Sequence, residues 1–442
     1  PDQDQSAIVY SQPYMDAETS LQSVTGKTVL WQAALPQRFN AQELGNRIQA
    51  WRGATRLILA RSPTLTYIHA TPDNITFKGT DIRANYEDFD SVHLVLFESW
   101  TASLHLLKKV DARRRIAFLA SKYNAKWANQ AAGSRYYVQN AIELLDAAGE
   151  FYIDRKRSRL LLRMSPGDDP NRGDPVTLAT TQELLHVEGT AAVPVEGLSF
   201  RNLTFAHTSV ESEAITEGAS MQSAHFLKAA AIHIRRAQRI SFDACTVHAT
   251  GGYALWAESD TRAVQVLGSY AFDLGAGGIR LGSAAASVSE GHRVVDSRLS
   301  DGGKVWQEGC GVLAQKVQNV TIAHNEIAHF RYTGISIGWT WGYGGPTATR
   351  DVLTSHNHIH DIGLGYLSDM GCVYTLGHQP GSRVTHNYCS DVQSFNYGGW
   401  AYYTDEGSRD ETFDSNVAVR SKCAGHHQHY GTDNRLTNIG DV

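Results

Sequence analysis

The chain has 442 residues, with 45 acidic and 40 basic side chains, a formal net charge of −5 and 19% charged residues. This balance excludes a long charged tail and provides no positive excess to neutralise phosphates, so nucleic acid is not an expected partner. Because no uncharged apolar run approaches ~18 residues, no membrane span is expected.

Residues 1–185 show no internal repeat. Short segments with apolar residues at every second position, interrupted by polar turn residues, predict β-hairpins over residues 103–119 and 149–164. Residues 42–51 and 138–147 are predicted as short helices. The first region is therefore predicted to be antiparallel and β-rich, and it contains no recognisable catalytic motif.

From residue 186 to 442 the sequence becomes self-similar, because short apolar segments recur, each followed by a polar residue and a second segment led by glycine. The polar positions lie 22 to 32 residues apart, at Asp243, Gly268, Asp296, Asn325, Asn357, Asn387, Asn416 and Asn438. Units of this size cannot bury an apolar face alone, so they must stack as a solenoid. Since no segment between them has helical periodicity, the pattern favours a parallel β-helix over βαβ units. The recurrent Asn is interpreted as structural, its amide binding turn backbone in neighbouring coils.

The glycine-led segments can be aligned so that each position forms a column through the stack. The alignment has to be consistent, because a slip of one residue would move every side chain of a strand to the opposite face. The inward column is Ile279, Val312, Ile335, Val373, Tyr402 and His426. The first outward column is Arg280, Leu313, Ser336, Tyr374, Tyr403 and His427. The second outward column is Gly282, Gln315, Gly338, Leu376, Asp405 and His429. Successive coils are about 4.8 Å apart, so side chains in one column are neighbours.

Aromatic and imidazole side chains collect on the outward face of the last coils. A plain solvated surface would carry scattered Lys, Glu and Ser instead. Flat aromatic rings beside hydrogen-bonding groups suit sugars, whose rings have apolar faces and polar edges. The predicted substrate-binding residues are Tyr374, Tyr403, His427, His429, Trp339, Trp341, Trp400, Gln315 and Arg280.

Three acidic residues are the predicted catalytic groups. Asp369 precedes one glycine-led strand, while Asp405 and Glu406 end the next, so they come from adjacent coils. Glycoside hydrolysis generally needs two carboxyl groups, one to protonate the leaving oxygen and one to act as base or nucleophile. The alternative is that these acids only organise turns, as Asp405 and Glu406 would before Gly407. Which acid has which role, and whether the anomeric configuration is inverted or retained, stays open.

The remaining histidines and cysteines point to no cofactor. His426 is predicted to lie in the core, and His427 and His429 have no accompanying metal-binding motif, so no metal site is predicted. The five cysteines form no CxxC motif and are expected to be buried thiols. They are Cys245, Cys310, Cys372, Cys389 and Cys423.

Several blocks make the chain similar to a known family. They span residues 357–363, 368–377, 398–408 and 425–434, together with 96–103, 135–140, 149–155 and 197–205. In these blocks the sequence resembles the right-handed parallel β-helix glycosidases of glycoside hydrolase family 141, over about residues 30–440. It departs from that pattern at Cys372, where glycine is usual, and at His426, where an apolar residue is usual.

The resemblance implies an all-β protein, a right-handed parallel β-helix with an N-terminal or inserted antiparallel β-rich subdomain. It implies cleavage of plant cell-wall glycans, by α-L-fucosidase action on pectic side chains or by xylanase action. The family's paired aspartates would fall on Asp369 and Asp405. A carbohydrate is the implied partner, and a secreted or periplasmic location is expected.

Two other functions remain possible from the sequence. A polysaccharide lyase on the same scaffold would need a Lys or Arg base, and the outward face offers only Arg280, Lys422 and Arg383 at its margins. A non-catalytic glycan-binding or adhesin-type β-helix would bind oligosaccharides without cleaving them.

Overall fold

The computed structural model describes residues 28–36, 39, 41, 48–123, 134–284, 287–338, 348–429, 433–437 and 440–441. Two compact units make up the chain. The first draws on residues 1–98, 103–180 and 209–220, and the second on residues 99–102, 181–208 and 221–442. None of the helices in the described ranges has the length and apolar composition that a membrane crossing requires.

The described residues of the first unit form three small sheets whose strand pairs are mostly antiparallel. A four-stranded sheet has the order Val29–Ala34, Arg159–Met164, Glu150–Asp154, Ile58–Leu59. A seven-stranded sheet has the order Leu65–Thr66, Arg135–Gln139, His93–Phe97, Ala102–Asp111, Ile116–Leu119, Asn74–Thr76, His69–Thr71. A three-stranded sheet has the order Val176–Leu178, Ala50–Arg52, Thr55–Arg56. Among the residues that the structure describes in full, its helical segments are the 3₁₀ turns Phe89–Ser91 and Ile142–Leu144 and the α-helix Ser212–Glu217.

Both predicted hairpins are confirmed, because Ala102–Asp111 pairs antiparallel with Ile116–Leu119, and Glu150–Asp154 with Arg159–Met164. The helix predicted over residues 138–147 is wrong. Its start belongs to the strand Arg135–Gln139, and only the turn Ile142–Leu144 is helical. Most of the helix predicted over 42–51 lies outside the described residues, and its end belongs to a strand.

The second unit is a parallel β-helix with three long sheets, and each coil contributes strands to all of them. Sheet 1 contains Leu185–Glu188, Ala230–Arg235, Tyr253–Ala257, Ile279–Gly282, Val312–Gln315, Ile335–Gly338, Met370–Thr375, Gly399–Thr404 and Ala424–Gln428. Sheet 2 contains Val195–Glu196, Ser199–Arg201, Ala237–Gln238, Ser241–Asp243, Thr261–Arg262, Gln265–Leu267, Ser289–Glu290, Arg293–Val295, Val317–Ala323, Arg350–Ser355, Arg383–Thr385, Arg409–Asp414 and Asp433–Thr437. Sheet 3 contains Thr204–Ala206, Thr246–Thr250, Tyr270–Leu274, Arg298–Ser300, Glu326–Ala328, His358–Ile362, Tyr388–Val392, Val417–Ser421 and Gly440–Asp441. In the described part of this unit there is one 3₁₀ turn, Gln222–Ala224.

The strand register of sheet 1 confirms the predicted columns from Ile279 to His426 and from Arg280 to His427. Steric contacts explain why glycine leads these strands. A Cβ atom at Gly278, Gly311 or Gly334 would come within 2.5–2.7 Å of a carbonyl oxygen in the next coil. At these three positions the approach of the next coil therefore favours glycine, and this recurrence made the alignment possible from sequence.

A ladder of asparagine side chains joins neighbouring coils, as predicted. The Asn325 amide donates to the side chain of Asn357, and the contact repeats from Asn357 to Asn387 and from Asn387 to Asn416, at 2.9–3.0 Å. In the earlier coils the marker positions were wrong by one or two residues. The ladder continues there through Cys245, Ser269 and Ser297, rather than through Asp243, Gly268 and Asp296. The left-handed turn residue is the one before each Asn, such as His356, with φ of 55°.

The expectation of five buried thiols is wrong for three of the cysteines. Cys372 and Cys389 form a disulfide, and Cys423 is exposed, whereas Cys245 and Cys310 are buried thiols. The bond links the sheet 1 strand Met370–Thr375 to the sheet 3 strand Tyr388–Val392. Cys372 lies in the glycine column, because it is the residue whose carbonyl a Cβ at Gly334 would meet.

Replacing Cys372 and Cys389 together by serine is expected to lower the free energy of unfolding. The disulfide spans 17 residues, and closing a loop of this size stabilises a protein by about 3 kcal/mol in the chain-entropy model. Denaturant titration of the double variant measures the loss. Cys423→Ser is the control, and it should change stability by no more than about 0.5 kcal/mol because it alters an exposed thiol. Equal stability of the double variant and the control would contradict the prediction.

Candidate active site

The candidate site lies on the last three strands of sheet 1. The register places Tyr374, Tyr403 and His427 side by side on adjacent coils. These side chains were predicted to face outward, yet Tyr374 and Tyr403 are only 1% and 2% exposed. The outward face of the sheet is therefore covered at this point, and the polar groups on it are largely removed from water.

One cavity of about 420 Å³ brings the predicted acidic residues together. It is lined by Trp100, Gln222, Asp369, Tyr397, Trp400, Tyr403, Asp405, Glu406, His427 and His429. All three predicted catalytic residues are in this set. The arrangement is possible because adjacent coils stack in register, so that groups far apart in the chain share one surface.

Asp369 is a carboxyl group that favours its protonated form. Burial raises its pKa to about 7, and the negative charge of Asp405 acts in the same direction, with a smaller contribution from Glu406. The Tyr403 hydroxyl donates a hydrogen bond to Asp369 Oδ1 at 3.0 Å, and this bond opposes the shift because it favours the carboxylate. The residue holds a left-handed backbone conformation, with φ of 61°. Near neutral pH, Asp369 can therefore hold a proton and donate it.

Asp405 has a different environment. The Tyr374 hydroxyl donates to Asp405 Oδ2 at 2.6 Å, and His429 Nδ1 lies 3.1 Å from Oδ1. Burial, and then the charge of Asp405, raises the pKa of Tyr374 well above its ordinary value, so the phenol remains a donor. Asp405 therefore accepts a hydrogen bond from a phenol, whereas the buried Asp369 can hold a proton near neutral pH. The two aspartates suit opposite roles in proton transfer.

Aromatic rings form the wall of the cavity beside the acids. Trp400 stacks on His427 with ring centroids 4.0 Å apart and planes 9° apart, and its ring centroid is 4.3 Å from that of Tyr403. Burial lowers the pKa of His427, and His429 acts in the same direction, whereas Asp405 opposes both. His427 is therefore a neutral hydrogen-bonding ring at neutral pH, next to a flat apolar surface.

Several predicted substrate-binding residues do not line the cavity. Tyr374 contacts it only through Asp405. Arg280 is 3% exposed, lies over the Trp256 ring and donates to backbone carbonyls. Gln315 is fully buried. Trp339 and Trp341 lie outside the described residues. The structure thus places Arg280 and Gln315 in interior positions, away from the acids.

Three lining residues were not among the predicted site residues, namely Trp100, Gln222 and Tyr397. Tyr397 precedes the glycine-led strand Gly399–Thr404, and its hydrogen bond to Asp369 lowers the pKa of that carboxyl. Trp100 falls within one of the family-like blocks, residues 96–103. Gln222 lies in a short 3₁₀ turn outside every repeat, so no sequence signal identified it.

His426, predicted as a core histidine with its hydrogen bonds satisfied, meets only part of that description. It packs edge-on against Phe413, with ring centroids 5.4 Å apart. Neither ring nitrogen has a hydrogen-bond partner among the described residues. Burial lowers the pKa of His426 to about 4, so its ring is neutral at neutral pH.

Comparison with known proteins supports the fold. No protein-family profile matches the chain, and no curated protein matches it. A solved structure described as a glycoside hydrolase is similar over 93% of this chain and 80% of that chain, with a TM-score of 0.77 and 23% sequence identity. A structure of XylC with xylose matches over 92% of this chain and 57% of that chain, with a TM-score of 0.47 and 12% identity. The first similarity establishes a shared fold, whereas the second is too weak to carry an argument.

Proposed function

We propose that this protein is a glycoside hydrolase that uses Asp369 as general acid and Asp405 as nucleophile or general base. The observation that carries the proposal is the pair of carboxyl groups in one cavity, one buried with a raised pKa and the other accepting a hydrogen bond from Tyr374 with His429 close by. Such divergent environments are typical of acid and base pairs. The fold shared with a solved glycoside hydrolase is in keeping with it.

The proposed reaction follows from these environments. The Asp369 proton passes to the glycosidic oxygen as the bond between that oxygen and the anomeric carbon breaks. Asp405 either attacks the anomeric carbon, which gives a glycosyl ester that water then hydrolyses, or removes a proton from a water that attacks directly. The hydrogen bond from Tyr374 orients Asp405 for either role, and His429 lies next to its other oxygen.

Substrate recognition is assigned to the aromatic wall. Trp400 offers a flat face for the apolar side of a sugar ring, and His427 and His429 offer hydrogen bonds to its hydroxyl groups. The sequence resemblance favours a glycan of the plant cell-wall type, cleaved by α-L-fucosidase-like or xylanase-like action within glycoside hydrolase family 141. The disulfide between Cys372 and Cys389 supports a secreted or periplasmic location, because such bonds persist in oxidising compartments.

A screen of the protein against defined plant and algal oligosaccharides tests the proposal. Hydrolysis of one glycosidic linkage is expected, and the first product anomer, followed by NMR, shows whether the configuration is retained or inverted. Unsaturated products that absorb in the ultraviolet would indicate a lyase instead. That outcome is not expected, because none of the ten described lining residues is Lys or Arg. Binding without cleavage of any ligand would indicate a glycan-binding module and would contradict the proposal.

The activity is expected to fall as the pH rises through about 7. Asp369 must be protonated to act as the acid, and burial together with the charge of Asp405 raises its pKa to about 7. The acid form therefore dominates below this pH and is lost above it. A profile of kcat/KM against pH measures this alkaline limb. In Glu406→Gln the limb should move to lower pH, because one of the charges that raise the pKa of Asp369 is removed. A limb that stays in place in Glu406→Gln, or that lies above pH 9 in the native protein, would contradict the assignment.

A further inference from the structure

Two histidines and a glutamate form a compact group on the first two strands of sheet 1. His186 lies on Leu185–Glu188, and the register places it directly opposite His233 on Ala230–Arg235. Glu183, just before the first strand, contacts both rings. Its Oε1 atom is 2.8 Å from His233 Nδ1, and its Oε2 atom is 2.9 Å from His186 Nδ1. The ligand atoms of the three side chains all lie within 4.8 Å of one another.

Each histidine also has a carboxylate on its other nitrogen. His233 Nε2 is 2.9 Å from Glu258, and His186 Nε2 is 2.7 Å from Glu188. Histidines that bind metal ions almost always donate the far N–H to a carboxylate or carbonyl, which fixes the tautomer and directs the other nitrogen to the metal. In this group both rings have that arrangement, with both Nδ1 atoms directed to the same glutamate.

The two Nδ1 atoms and the Glu183 carboxylate converge, which is the arrangement that a bound cation requires. An imidazole that keeps only the N–H directed at Glu258 or Glu188 has its Nδ1 lone pair available for a metal ion. A metal ion among the three side chains would accept both lone pairs and the carboxylate at once. The His233 ring is also fixed in orientation, because it is 4% exposed and stacks on Trp256 at 4.7 Å.

We propose that Glu183, His186 and His233 bind a divalent transition metal ion, with Zn²⁺ as the expected species. Two imidazoles and one carboxylate suit zinc, which is four-coordinate in most sites, and water would complete the set. Calcium and magnesium prefer sites made almost entirely of oxygen ligands, and this group is not of that kind. His186 is exposed, so the ion can enter from solvent.

The ion would join the first coil of the β-helix to the second, because its ligands come from two adjacent strands. A terminal coil has a neighbour on one side only and needs additional stabilisation. Because the unfolded chain has no preformed site, the free energy of metal binding adds to the stability of the folded chain. The nearer of its two strands, Ala230–Arg235, is five strands along sheet 1 from Met370–Thr375, about 24 Å at 4.8 Å per strand. Its occupancy is therefore independent of the proposed hydrolase activity.

The test uses the full chain, stripped with a chelator and titrated with ZnCl₂ by calorimetry, with bound zinc counted by mass spectrometry. One Zn²⁺ per chain is expected, together with a rise in the midpoint of thermal unfolding. His186→Ala should weaken binding about 100-fold or more and abolish that rise, and Glu258→Gln should weaken binding about 10-fold to 100-fold. His69→Ala, which removes an exposed histidine from the first unit, is the matched control and should bind like the native protein.

His186 is exposed, so its variant is expected to fold, and circular dichroism checks this. Absence of stoichiometric zinc, or equal affinity in His186→Ala and the native chain, would overturn the proposal and leave a hydrogen-bonded network with protonated rings. Binding of Ca²⁺ in preference to Zn²⁺ would also overturn it.

Discussion

Asp369→Asn is expected to reduce kcat/KM on a natural glycoside by about 10²-fold to 10⁴-fold, the range that general acid catalysis contributes. The loss should be much smaller on an aryl glycoside of the same sugar, because a good leaving group departs without a proton. The amide has the same shape as the carboxyl group and still accepts the hydrogen bond from Tyr403, which is 3.0 Å long in the native protein. The difference between the two substrates therefore reports the missing proton.

Asp391→Asn is the matched control for this variant. Asp391 forms an exposed ion pair with Arg420 and is not among the cavity residues, so its replacement should leave both rates unchanged. An equal loss of rate on the two substrates in Asp369→Asn would assign that residue to binding or folding rather than to proton donation. Turnover near the native value on both substrates would remove it from the mechanism.

Asp405→Asn is expected to reduce turnover at the upper end of the same range, about 10⁴-fold, on natural and aryl glycosides alike. Both substrates need the attacking group, whatever their leaving group. Tyr374 and His429 would then face an amide, which cannot act as nucleophile or base. Steady-state rates on the two substrates measure the loss, and thermal unfolding checks that the variant folds.

Added azide separates the two roles of Asp405. If Asp405 is the nucleophile, azide should restore turnover of the aryl glycoside and give a glycosyl azide, because the small anion takes the place of the carboxylate. If Asp405 is the base that activates water, no glycosyl ester forms in the native protein, and the NMR anomer shows inversion. Native-like turnover of Asp405→Asn without azide would contradict both roles.

The fold was predictable because the stack repeats its own geometry. In a parallel β-helix one register holds from coil to coil, so aligning the glycine-led strands was enough to place Tyr374 beside Tyr403 and Tyr403 beside His427. The hairpins of the first unit were equally clear, because each has a period of two interrupted by a polar turn. Local patterns thus determined both the columns and the approach of Asp369 and Asp405 to one cavity.

The errors arose where contacts are not periodic. The pairing of Cys372 with Cys389 joins two sheets, and no spacing in the sequence indicates it. Gln222 comes from a 3₁₀ turn between strands, outside any repeat. The alignment predicted on which face of sheet 1 each side chain lies. It did not predict that other parts of the protein cover that face. Arg280 is consequently buried over Trp256 instead of meeting the acids.

The two tyrosine bonds at the acids are reciprocal. Tyr403, from the strand that leads to Asp405, binds Asp369, whereas Tyr374, from the strand that follows Asp369, binds Asp405. Each coil therefore aligns the reactive group of its neighbour, and neither acid can be repositioned alone. Loss or gain of a single residue in either strand would disconnect both acids from their tyrosines, while whole coils can be added or removed elsewhere in the stack without disturbing the pair. Proteins with this scaffold can therefore differ in their number of coils. In the two strands that carry the acids and their tyrosines, they can change by substitution but not by insertion or deletion.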